Sequence, residues 1–165
     1  MTLNLHERKR LFRSHAIAVL RGDRREANRL GQTIQSEHHL AHQMFLFAVF
    51  TAAVADHFGD DLDRSALARL IAGLRADRPN LPQLKTEALV RVLYGEGRLY
   101  LDVPQADHPA SMWAVLKALL GPDRTDEALA DLFDRADTTG RELVAAVFES
   151  EALYGYRDDR REEYA

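Results

Sequence analysis

The sequence predicts an all-α fold, a single-domain helical bundle of about six to seven helices around one long apolar central helix. Three observations carry that prediction. Apolar residues recur at steps of three and four through most of the chain, and helix-capping pairs punctuate it repeatedly. The stretch from Met44 to Ala55 is apolar on every side, with Thr51 its only polar side chain. At 165 residues and 46% hydrophobic content, the chain suits one domain with a continuous core.

Asn4 followed by Glu7 has the form of a capping box. It opens a first helix from Asn4 to Arg21, with Phe12, Ala16, Val19 and Leu20 on one face and Gly22 as its stop. Asp23 with Glu26 forms a second box and opens the central helix, Asp23 to Phe58, closed by Gly59. Its stripe runs through Ala27, Leu30, Ile34, His38, Ala41, Phe45, Ala48, Ala52 and Ala55, and Gly31 marks a place for a kink or break. A membrane span needs about 20 apolar residues. This run begins past His42 and Gln43 and ends at Asp56, so it reads as a core helix with Phe45, Leu46, Val49 and Phe50 buried on different sides.

Asp63 caps a third helix that presents Leu67, Leu70, Ile71 and Leu74 and is limited by Pro79. Pro82 begins a fourth, carrying Leu84, Ala88, Leu89, Val92 and Leu93, until Gly95 and Gly97 interrupt the pattern. Residues 98–103 alternate, with Leu99, Leu101 and Val103 on one side, which predicts a short extended segment crossing the bundle. Pro109 opens a fifth helix with Met112, Trp113, Leu116, Leu119 and Leu120, ended by Gly121 and Pro122. Thr125 or Asp123 caps a sixth with Leu129, Leu132, Phe133 and Ala136. Thr139 with Glu142 boxes in a seventh with Leu143, Val144, Val147 and Phe148. The bundle is expected over residues 1–153, and the highly charged stretch 154–165 is expected to be a disordered tail.

Net charge is −4, unevenly spread. Residues 1–30 hold eight Lys/Arg against three Asp/Glu, and residues 121–165 hold six against thirteen, so the two ends could attract each other or face partners of opposite charge. Nineteen arginines against three lysines read as the coding bias of a GC-rich bacterial genome rather than as phosphate recognition. Without cysteine there are no disulfides, thiolate metal sites or thiol nucleophiles. The polar, basic start from Met1 to Arg13 lacks the pattern of a signal peptide, and a cytoplasmic protein with no membrane span is expected.

Glu37, His38, His39 and His42 form the densest group of potential ligands. Histidines at i and i+4 leave one helix face about 5–6 Å apart, close enough to share a metal ion. An antiparallel hairpin turning at Gly22 and Asp23 sets residues whose numbers sum to about 45 opposite each other. That register brings His6 and Glu7 to His38 and His39 and leaves His15 facing Leu30. The candidate divalent-metal site is therefore His38, His42 and His6, with Glu7 or Glu37 as a fourth ligand. Three protein ligands and a water would support hydrolysis, because zinc lowers the pKa of bound water to about 7. Against this stand the missing zinc-protease spacing and the absence of any Glu-x-x-His pair.

A basic group, Arg8, Lys9, Arg10 and Arg13 with Arg21, Arg24, Arg25 and Arg29 across the turn, offers nucleic-acid binding as a further alternative. The overall pI near 6 argues against it. A helix-turn-helix outline around Asp137 to Gly140 carries Asp126, Glu127, Asp131 and Asp134 on its first helix, which would repel phosphates. No nucleophile elbow or phosphate-cradling glycine loop is present, and Gly95-Glu96-Gly97 reads as a turn. The aromatic residues Tyr154, Tyr156 and Tyr164 among charges have the form of a docking peptide. The reading favoured by the sequence is a non-enzymatic interaction or regulatory domain. It would form a homodimer, with Leu99, Tyr100 and Leu101 available for self-association.

Overall fold

Among the described residues all regular structure is helical. The computed structural model describes the backbone of residues 2–35 and 37–149 and the side chains through residue 142. Its elements are α1 (Leu5–Leu20), α2 (Arg24–Ile34), α3 (His39–Phe58), α4 (Arg64–Asp77), α5 (Gln83–Val92), a 3-10 segment (Gly97–Asp102), a 3-10 turn (Gln105–Asp107), α6 (His108–Leu120) and α7 (Asp126–Glu149). The domain limit at 153, the tail 154–165 and the side chains of Leu143, Val144, Val147 and Phe148 lie outside what is described.

The helix starts follow the capping chemistry. The Asn4 side chain accepts from the Glu7 amide while the Glu7 carboxylate accepts from the Asn4 amide, both at 2.9 Å. Asp23 caps α2 through the Glu26 amide, Asp63 caps α4 through Ser65 and Ala66, and Thr125 accepts from the Ala128 amide at the head of α7. Between α1 and α2 the chain turns on Gly22. The Gly22 amide reaches the Val19 carbonyl and the Asp23 amide reaches Ala18, closing α1 with a pair of bonds that needs the left-handed conformation Gly22 adopts at φ +74°.

The long central helix expected over 23–58 is two helices. It breaks at Gln35–His38, beyond Gly31, where Gln35 turns to extended ψ. The two halves have different requirements. α2 is polar with Leu30 and Ile34 buried and packs on α1, whereas α3 passes through the core against α7 and α6. A straight helix over 23–58 would run roughly 54 Å at 1.5 Å per residue and could not satisfy both. The polar run Gln35-Ser36-Glu37 has no apolar side chain to hold a helix on the core.

Leu46, Val49 and Phe50 are fully enclosed, and Phe45 packs against the same core beside Phe133. Thr51 returns its hydroxyl to the Phe47 carbonyl at 2.9 Å, which satisfies the one polar group of the run. Buried Thr86 and Ser111 share a 2.9 Å bond that ties α5 to α6. Leu84, expected on the core face of α5, is 83% exposed, and Val90 is buried in that face instead.

The sixth and seventh predicted helices are one. α7 runs unbroken through Thr139 and Gly140, and the helix-turn-helix outline at Asp137–Gly140 is not realised. A glycine inside a helix costs about 1 kcal/mol, and at this position α7 lies close against α3. A Cβ at Gly140 would lie 3.4 Å from that of Ala48. Residues 98–102 are likewise 3-10 rather than extended, only Val103 keeping an extended backbone, and the segment is anchored where buried His108 donates from Nε2 to the Val103 carbonyl at 2.9 Å. Leu101 is 86% exposed, so the alternation seen in the sequence did not sort faces.

The basic N-terminus and the acidic C-terminal helix do meet. Lys9 pairs with Asp137 at 3.2 Å, Arg13 with Asp134 and Asp137 at 2.8 and 2.9 Å, and Arg21 with Asp126, so α1 and α7 run antiparallel. Among the described residues no helix is long and apolar enough to cross a membrane.

Candidate functional site: a histidine pair and an apolar groove

The five residues of the predicted metal site are not brought to one point. His6 sits exposed on the first turn of α1, where its Nε2 accepts from the Arg10 guanidinium at 3.2 Å, and Glu7 is committed to the cap of that helix. Glu37 is exposed in the break, and His38 is buried at the N-cap of α3. His42 is buried one turn on and faces a different partner. Among the described residues no group of three or more His, Asp or Glu side chains is placed to hold a metal ion.

What the fold builds instead is a pair between His42 and His15. His42 Nε2 lies 3.2 Å from His15 Nδ1, so one ring donates and the other accepts. The expected hairpin register does hold for His15, whose Nε2 lies 3.7 Å from where a Cβ on Gly31 would be. It fails for α3, because the break turns that helix back and carries His42 onto His15. The surround is aromatic: Phe12 and Phe45 flank His42, and Trp113 stands edge-on to His15 at 5.9 Å. Burial, then the positive charge His15 and His39 would carry, pushes His42 down to about 4, and burial also lowers His15. At neutral pH the pair is uncharged and joins α1 to α3 at the edge of the core, with His42 buried and His15 half-buried.

Phe12 and Phe45 reach past this pair to the floor of a groove of about 990 Å³. Four elements form it: the start of α1, the first half of α3, the 3-10 region leading into α6, and the middle of α7. Its walls carry large apolar side chains left open to solvent. Leu5 is 61% exposed, Leu40 74% and Met44 50%, with Tyr100 beside them. The expectation that the Met44 to Ala55 run is enclosed on all sides therefore fails at its first residue. Leu40, Met44 and Phe47 make a second apolar stripe at steps of four and three, distinct from the stripe that packs into the core. That stripe is legible in the sequence, but its exposure is not.

The rim of the groove is cationic. Arg8, Lys9 and Arg141 border it, and of these Lys9 is neutralised by Asp137, while Arg8 and Arg141 have no carboxylate partner among the described residues. Of the self-association candidates from the sequence, Tyr100 lines the groove, Leu101 is exposed next to it, and Leu99 packs against the core. Of the basic N-terminal group, Lys9, Arg13 and Arg21 are held by α7 and Arg29 by Glu26. The groove thus combines an apolar floor with a cationic rim. No family model, curated protein or solved structure matches the chain.

Proposed function

We propose that the protein is a non-enzymatic interaction domain that self-associates through the groove formed by α1, α3, α6 and α7. The observation that carries this reading is the convergence of Leu5, Leu40, Met44 and Tyr100, from three separate elements, on one open apolar surface. Scattered exposed apolar residues need no explanation, whereas a contiguous patch rimmed by polar groups is the mark of an interaction site. Burying a leucine or methionine side chain contributes about 1.5–3 kcal/mol, so covering Leu40 and Met44 alone is a useful part of an association free energy. The groove's occupant is a second copy of the chain, which carries both the cationic rim and a surplus of acidic residues toward its C-terminus.

Light scattering of the wild type and of Met44→Glu tests this directly. Met44 is half exposed, so the substitution leaves the core untouched and circular dichroism should be unchanged. The wild type is expected to be dimeric at about 10–100 μM, a concentration at which micromolar association persists, and Met44→Glu to be monomeric. A wild type that is monomeric throughout that range, or a Met44→Glu variant as dimeric as the wild type, would overturn the reading.

A further inference from the structure

The part of the second copy that enters the groove is its C-terminal stretch, residues 150–165, and we infer that the dimer is a reciprocal exchange of these segments. The inference rests on the self-association reading above and identifies the docking element. α7 lines the groove with Ala136, Gly140 and Arg141 and continues to Glu149, about 12 Å further along its axis at 1.5 Å per residue. The sixteen residues that follow lie outside the described structure and start from the end of that helix.

Their chemistry complements the groove. Leu153, Tyr154 and Tyr156 supply the apolar and aromatic content that the floor of Phe12 and Phe45 and the wall at Met44 can cover. Glu151, Asp158, Asp159, Glu162 and Glu163 outnumber the three arginines of the segment and suit the rim of Arg8 and Arg141. A cavity of 990 Å³ stands at the upper end of the range of about 300–1,000 Å³ that accepts whole ligands, room enough for several large side chains.

Exchange between copies follows from direction. To fill its own groove the segment would have to run back past Glu149 toward Arg141, about 12 Å along α7, whereas a second copy presents the same groove without that reversal. Sixteen residues reach up to about 50 Å when extended, ample to cross to a neighbour. When two copies donate to each other the arrangement closes with two-fold symmetry, and each association is fixed at two points.

Complementation between full-length variants tests the exchange. Tyr154→Ser/Tyr156→Ser removes the donor and leaves the groove intact, and Met44→Glu damages the groove and leaves the donor intact. Each variant alone is expected to be monomeric by light scattering, with the concentration for half-dissociation raised at least tenfold. An equimolar mixture is expected to form a dimer, because one intact groove then meets one intact segment. A double tyrosine variant that dimerises like the wild type would overturn the exchange while leaving the groove reading in place. A mixture that stays monomeric would do the same. A wild type that is itself monomeric, or Met44→Glu that still dimerises, would overturn both.

Discussion

At the scale of single residues, the pairing of His15 with His42 makes the sharpest commitment. The folded state holds His42 near 4, below its ordinary 6.5, so between these values the unfolded chain binds a proton that the folded chain refuses. Stability is therefore complete above pH 6.5 and falls as the pH drops toward 4, by roughly 3 kcal/mol for a shift of this size. In urea unfolding, His42→Leu should flatten that decline relative to the wild type, and parallel declines for the two proteins would contradict it. Phe50 tests the core independently. It is fully buried, and Phe50→Ala should lose about 3–5 kcal/mol with little change in slope, whereas Arg25→Ala, on the exposed face of α2, should not. The burial of Phe50, Leu46 and Val49 was legible in the sequence because a run without a polar face has to be enclosed. The partner of His42 was not, since it depends on where a helix breaks, and the break is a matter of tertiary fit.

At the scale of elements, helix starts were legible because a capping side chain and its amide lie within three residues of each other. Asn4, Asp23, Asp63 and Thr125 all cap their helices, although the box expected of Asp23 and Glu26 is half formed, because the Glu26 carboxylate accepts from Arg29 instead. Interruptions were less legible. Gln35 to Glu37 ends a helix without a strong breaker, and the Thr139 and Glu142 pair, which has capping form, sits inside a continuous α7. In both places packing against other helices decided the outcome over local preference. Gly140 shows the reason. Because a Cβ there already meets Ala48 at 3.4 Å, Gly140→Leu should push α7 away from α3 and destabilise by about 1–3 kcal/mol despite leucine's better helix propensity. A thermal midpoint at or above the wild-type value for Gly140→Leu would show that the two helices do not approach this closely.

At the scale of the whole molecule, the uneven charge of the chain resolves into α1 held against α7, and the apolar excess of α3 resolves into two stripes, one facing the core and one facing the groove. The all-helical class followed from periodicity, whereas the groove emerges only when α1, α3, α6 and α7 are placed together. The central claim is that a second copy covers this groove in solution. A photo-crosslinking side chain at position 44 tests it most directly, with position 84 as control, because Leu84 is 83% exposed on α5 away from the groove. The account predicts a covalent dimer from position 44 and none from position 84. No dimer from position 44, or equal yields from the two positions, would contradict it.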